Sequence, residues 1–379
     1  MAADAPFCLI EDREAGEARL FSAPRRIVAA WRPEEVFPAF AAIQAATQEG
    51  CFAAGFVAYE CGYALEPKLA PLLRPHRDKP LLLFGLFDAP RPAPALERAH
   101  GAASVGDLHA AWSFADYERR FAACRDYIAA GDVYQVNLTF PIFGRWRGAP
   151  LDLYRQLRAR QPVALGGIVA LGGETILSLS PENFFAASGD RISARPMKGT
   201  APRGATAEED RALAEALARD EKNRAENLMI VDLLRNDISR LSEVGSVRAP
   251  ELFAVETFPT LHQMTSNVVA RLRPGLAFGE IFAGLFPCGS VTGAPKIRAM
   301  EIIAELEAFP RQIYCGAIGV IAPGGDMRFN VAIRTLTLAP DGRLTCPVGS
   351  AVVADSRARE EYKECLLKAR FLTGDPISA

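Results

Sequence analysis

Lys198, in Arg195-Pro196-Met197-Lys198-Gly199-Thr200, stands between a proline and a glycine in an otherwise apolar setting. A lysine so placed can be a nucleophile if partial burial lowers its pKa and an acid nearby helps a leaving group depart. A candidate acid precedes it by sixteen residues: Glu182, in Ser180-Pro181-Glu182-Asn183-Phe184. The same Lys-Gly pair also makes an ordinary solvated turn, so these two residues alone leave the chemistry open.

Other charged residues fall in patterns that suit a hard cation or an anionic substrate. Glu361, Glu364 and Lys368 recur at i, i+3 and i+7, on one face of a helix expected over roughly Arg357 to Phe371. Such a stripe is either a solvated surface or a set of carboxylates for a divalent cation such as Mg²⁺, which keeps waters or takes substrate oxygens. Glu226, in Arg224-Ala225-Glu226-Asn227-Leu228, offers a carboxylate from another helix. Arg334, inside an alternating strand, and Tyr314, at the start of another, could clamp a carboxylate, or Arg334 could simply face water. The loop Phe286 to Lys296 has small residues, hydroxyls including Thr292, and a helix behind it; it could bind an anion or be a plain turn. It is not a Walker loop, because Lys296 lacks the preceding Gly and the following Ser or Thr. His262, in Leu261-His262-Gln263-Met264, reads as a structural histidine.

These residues need elements to hold them. Ser113-x-x-Asp116 is a capping box opening a helix whose apolar residues Tyr117, Phe121, Cys124 and Ile128 recur at helical spacing before Gly131. Val133 to Phe140 alternates as a strand with Gln135, Asn137 and Thr139 on one face, meeting water or lining a polar cavity, with water slightly favoured. Thr206-x-x-Glu209 opens a second helix, and a third, holding Glu226 to Leu234, is expected to break at Arg235-Asn236-Asp237. Pro295 should be the first residue of a helix to about Glu307. The proline-rich stretch near residue 90 reads as a connector between an N-terminal lobe, 1–105, and a catalytic region, 106–379, joined in one interlocked unit.

Half of the 379 residues are hydrophobic, enough for a large core. A formal charge of -2 gives no general attraction to nucleic acid or an anionic membrane, so any positive site is local. The eight cysteines form no C-x-x-C pair and share no metal spacing with the four histidines, which argues against structural zinc and a disulfide framework. No signal peptide or bilayer-spanning run is evident, so a reduced, soluble, cytoplasmic protein is expected.

From about residue 113 to 373 the chain resembles the chorismate-utilising enzymes, which include anthranilate, aminodeoxychorismate, isochorismate and salicylate synthases. The resemblance rests on Gly131 to Leu138, Ser180-Pro181-Glu182, Lys198-Gly199-Thr200, Ala225 to Asp237, Gly289 to Lys296, and Val353 to Ser356 with Glu361 to Glu364. It implies an α+β fold of two packed antiparallel sheets with outer helices. Anthranilate synthases have Ala where Lys198 stands, and isochorismate-forming members carry a general-base Lys where Gln135 stands. Lys198 with Gln135 therefore resembles the branch that makes 4-amino-4-deoxychorismate for the folate and 4-aminobenzoate pathway.

The resemblance also implies roles. Glu182 would assist loss of the 4-hydroxyl, and Lys198 would attack C2. Mg²⁺ on Glu226 and Glu364, supported by Glu361, would bind the ring carboxylate together with Lys368 and the backbone of Gly199. Tyr314 and Arg334 would grip the enolpyruvyl carboxylate, while Gln135, Thr200, His262, Thr292 and Gly349 would complete the substrate site. Ammonia would come from a separate glutamine amidotransferase subunit, since no amidotransferase or lyase segment is read in this chain. Ser350 and Ala351 stand where the family more often has Gly, which predicts a tighter pocket. Cys8-Leu9-Ile10-Glu11-Asp12 is at best a remnant of the tryptophan-feedback motif, so no tryptophan control is expected.

Overall fold

The computed structural model describes residues 5–97, 101–161, 163–258 and 261–375. Its strands form two ten-stranded sheets, and every pairing between described strands is antiparallel. The first sheet runs from Gly293–Ala294 through Gln135–Arg147, Arg343–Val352, Thr335–Leu338, Glu174–Ser178 and Leu165–Gly172 to Phe7–Asp12 and its hairpin partners. The second runs from Met197–Pro202 through Leu261–Arg271, Arg191–Ala194, Asn183–Ser188, Met327–Val331 and Ala317–Ile321 to Phe52–Val57 and beyond.

The N-terminal residues enter both sheets. Phe7–Asp12 pairs with Leu165–Gly172, and Phe52–Val57 pairs with Ala317–Ile321. Cys8, Ile10 and Phe21 from one sheet meet Ala54, Phe56 and Phe87 from the other in a shared apolar layer. Phe21 lies 5.6 Å from Phe87 and 5.8 Å from Phe52, ring centre to ring centre. The proline-rich stretch supplies a short edge strand, Arg91–Pro92, and the strand Ser104–Ala110 runs across residue 105.

The helices lie outside. Phe114–Ala129 begins at the capping box, where Ser113 Oγ accepts from Asp116 N at 3.2 Å, and it packs with Ala358–Lys368 around Tyr117, Phe140 and Tyr362. The helix Glu221–Ser239 continues through Arg235-Asn236-Asp237, correcting the expected break. Leu234 and Ile238 extend its buried stripe, and Asp237 turns inward to Lys296 Nζ at 2.6 Å. Pro295 is the N-cap rather than the first residue of the helix Lys296–Leu306. No described helix is long and apolar enough to cross a membrane.

The chain passes between the sheets at several connections, and two of these lie side by side. Between Ser178 and Asn183 the chain leaves the first sheet for the second, and between Val331 and Thr335 it returns. These crossovers build the site.

Candidate active site

Ser180 stitches the crossovers together. Its hydroxyl donates to Val331 O at 2.6 Å and accepts from Glu182 N at 3.1 Å. Val331 N donates to Glu182 O at 3.1 Å, and Leu179 N donates to Arg334 O at 3.0 Å. Glu182 and Arg334 thus sit side by side where two strands change sheets. Both line a cavity of about 860 Å³.

Arg334 is not inside a strand, as its alternating sequence implied. It occupies the break between Met327–Val331 and Thr335–Leu338 at φ +50°, a left-handed conformation costly for a residue with a side chain. Among the described residues no carboxylate lies within ion-pair distance of its guanidinium. Burial holds its pKa below the usual arginine value, with Tyr314 and Glu364 opposing that effect. Tyr314 is in the turn before Ala317–Ile321 and also lines the cavity; burial raises its phenol well above the ordinary value, so it is a neutral donor.

Glu182 is 8% exposed, and its Oε1 accepts a hydrogen bond from Ser290 Oγ at 2.8 Å. Burial pushes its pKa up to about 7, against the opposing effects of Ser290, Lys198 and Lys368. A carboxyl that ionises near neutrality is suited to give a proton to a leaving group.

Lys198 is placed by a bulge. The pairing of Met197–Pro202 with Leu261–Arg271 slips between Met197 and Thr200, and Gly199 takes φ +90°. Bulges re-aim side chains, and here Lys198 lines the cavity. Gln263 holds the bulge from across the ladder: its Nε2 donates to Gly199 O at 2.8 Å, and its Oε1 accepts from Thr200 Oγ1 at 3.1 Å. A Cβ on Gly199 would come within 2.9 Å of Asn223, so only glycine lets the helix Glu221–Ser239 approach this closely. That helix brings Glu226 Oε2 to 3.6 Å from Lys198 Nζ.

The opposite wall is the helix Ala358–Lys368, and the face predicted from spacing is the one that lines the cavity. Lys368 Nζ pairs with Glu364 at 2.7 Å and donates to Gly349 O at 2.8 Å. Glu361 accepts from Ser356 Oγ at 2.7 Å, and burial raises its pKa, with Glu364 adding to the rise. For Glu364 burial acts in the same sense, but Lys368, Lys198 and Arg334 outweigh it and hold the carboxylate below its ordinary range. The three expected metal donors, Glu226, Glu361 and Glu364, all line the cavity, and a set of carboxylates fits a hard, oxygen-seeking ion. Among the described residues no three His, Cys, Asp or Glu side chains cluster closely enough to hold a metal unaided. An ion with few protein ligands, completed by water or substrate oxygens, suits that spacing.

Three expected substrate residues do not line the cavity. His262 is buried with both ring nitrogens engaged, Nε2 with Asp210 at 2.9 Å and Nδ1 with Thr257 Oγ1 at 3.0 Å, so it tethers strands to a helix. Thr292 is fully buried and its hydroxyl donates to Cys288 O, closing the turn that presents Ser290 and Val291 instead. Gln135 is buried two positions before Asn137 on the same strand face, and its Nε2 has no hydrogen-bond partner among the described residues. Asn137 does line the cavity, so the polar face of this strand meets the protein interior and not bulk water. The expected anion loop is also divided: Pro295 and Lys296 line a separate cavity of about 760 Å³ behind the helix Glu221–Ser239. Ser290 and Gln263 were missed; nothing in the spacing shows that a turn and a neighbouring strand touch Glu182 and Gly199.

The model of the chorismate binding enzyme family matches residues 5–374. The chain belongs to the chorismate binding enzymes. Within the family it is 43% identical to aminodeoxychorismate synthase component 1 of Klebsiella aerogenes over 77% of this chain and 66% of that protein. It is 38% identical to anthranilate synthase component 1 of Pseudomonas putida over 76% of this chain and 59% of that one. The chain thus spans about two thirds or less of the curated relatives it matches. The structure of anthranilate synthase component I from Streptococcus pneumoniae TIGR4 matches over 97% of this chain and 90% of that chain, with a TM-score of 0.78 at 28% identity. The two-sheet architecture with outer helices is therefore the chorismate binding fold.

Proposed function

We propose that this chain converts chorismate and ammonia to 4-amino-4-deoxychorismate and water. The observation that carries the reading is Lys198, directed by its bulge into the same cavity as the buried acid Glu182. The Lys198 nitrogen attacks C2 while both conjugated ring double bonds shift and the C4–O bond breaks; Glu182 gives its proton to the departing oxygen, which leaves as water. Ammonia then forms the new bond at C4, both double bonds shift back, and the lysine amine departs from C2. The proton lost by the incoming nitrogen restores Glu182. A side chain without an amine at 198 would leave C2 open to ammonia itself, which is the regiochemistry of anthranilate formation.

The cationic groups match a substrate with two carboxylates. Arg334, free of any ion pair among the described residues, would bind one with Tyr314. Lys368 and the Gly199 backbone would serve the other. Mg²⁺ held by Glu226, Glu361 and Glu364 would polarise that ring carboxylate and draw electron density toward C1. The ammonia source is a glutamine amidotransferase, in keeping with the name component 1 carried by the Klebsiella relative. The product feeds 4-aminobenzoate and folate formation in the cytoplasm.

Mass spectrometry of products from chorismate, Mg²⁺ and excess ammonium tests the reading. 4-Amino-4-deoxychorismate, which added lyase converts to 4-aminobenzoate, is expected. Anthranilate, isochorismate, or binding without turnover would overturn it.

A further inference from the structure

Arg311 lies outside the cavity, 4% exposed, and its guanidinium is fully committed to other groups. Nε and Nη2 grip Glu307 at 2.8 and 2.7 Å. Nη1 donates to Val291 O at 2.7 Å, and Nη2 donates to Asn137 O at 2.6 Å. Glu307 in turn accepts from Thr139 N at 2.9 Å. Arg311 N and Gln312 N both donate to Glu60, and the Tyr59 ring covers the guanidinium at 4.6 Å.

The two carbonyls that Arg311 holds belong to cavity residues. Val291 follows Ser290, whose hydroxyl reaches Glu182, and Asn137 is on the strand beside that turn. A buried ion pair is weak evidence for stability, because an apolar pair of similar volume commonly serves as well. A planar fork that fixes two backbone segments at once does something an apolar pair cannot, and lysine lacks that geometry.

We propose that Arg311 is a positioning residue that holds the Ser290 turn against the strand bearing Asn137, keeping Ser290 hydrogen-bonded to Glu182. The inference rests on Glu182 as the acid of the proposed reaction. Ser290 stabilises the ionised form of Glu182, so loosening the turn raises the pH at which Glu182 ionises. The other groups facing Glu182 are Lys198, Lys368 and the Cys288 thiol; those facing Arg311 are Glu307, Glu60, Tyr59, Tyr63, Tyr314 and Cys315.

The ionisation midpoint of Glu182 can be read without turnover, from the carboxylic acid C=O stretch in infrared difference spectra against Glu182→Gln. Arg311→Lys and Ser290→Ala are each expected to raise it by about one pH unit. Combined, they should shift it no further than either alone. An unchanged midpoint in Arg311→Lys, or shifts that add, would overturn the proposal. If Arg311→Lys does not fold, Arg311→Met with Glu307→Leu removes both charges together and should give the same shift. Product analysis reports separately on the reaction, so failure of the chemistry and failure of the clamp are distinguishable.

Discussion

Ser290 Oγ lies 2.8 Å from Glu182 Oε1, although 108 residues separate them in the chain. The contact joins the 3-10 turn Gly289–Val291 to the point where the strands change sheets. It places a hydroxyl on a buried carboxyl that no lysine approaches within ion-pair distance among the described residues. The acid is therefore governed mainly by burial, and its chemistry should follow pH.

Burial raises Glu182 from its usual 4.5 to about 7. Between those values the folded chain keeps a proton that the unfolded chain has released, so stability is present below the unfolded pKa and falls as pH rises through the window. The ionised group costs roughly 3 kcal/mol above it. Urea denaturation from pH 4.5 to 8 should show wild type losing stability relative to Glu182→Gln. Turnover should decline above about pH 7 on the same group, and Glu182→Gln should lower kcat by about 10² to 10⁴.

Arg334 illustrates a site residue held at a cost. Its φ of +50° and its half-buried charge, unpaired among the described residues, oppose folding. Arg334→Asn, which tolerates left-handed backbone, should raise the melting temperature while raising KM for chorismate by about 10² or more. A calorimetric scan and a steady-state titration check the two halves.

Gly199→Ala should destabilise the fold by about 1–3 kcal/mol, because φ is +90° and Asn223 leaves no room for a Cβ. Turnover should fall further than stability accounts for, since the bulge that aims Lys198 must shift. Chemical denaturation and a rate assay well below the unfolding midpoint separate the effects.

Removing Mg²⁺ with EDTA should abolish turnover, and adding Mg²⁺ should restore it. Glu226→Gln and Glu364→Gln should each weaken Mg²⁺ binding by about tenfold or more, measured by calorimetry with the metal alone. Glu361→Gln should act less, because Glu361 already accepts a hydrogen bond from Ser356.

Local patterns carried well from sequence to structure. The capping box at Ser113 and the stripe Glu361, Glu364, Lys368 involve neighbours three to seven residues apart, and spacing alone decides which face they share. Positions fixed by long-range crossing were not legible. Arg334 reads as a strand residue because Val331 and Ile333 alternate before it and the strand formers Thr335 and Leu336 follow; only the change of sheet reveals the break. Gln135 and Thr292 stand in quoted motifs, yet a motif does not say which of its residues reach the cavity and which hold up the wall. His262 reads as structural from its own sequence, against the substrate role that the resemblance implies, and Asp210 and Thr257 on other elements are its partners.

The most direct test compares the products of wild type and Lys198→Ala from chorismate, Mg²⁺ and ¹⁵N-ammonium by mass spectrometry and NMR. Wild type should place the label at C4, and Lys198→Ala should lose that product, with any residual amination at C2. Labelled 4-amino-4-deoxychorismate from Lys198→Ala at the wild-type rate would contradict the role of Lys198 as nucleophile.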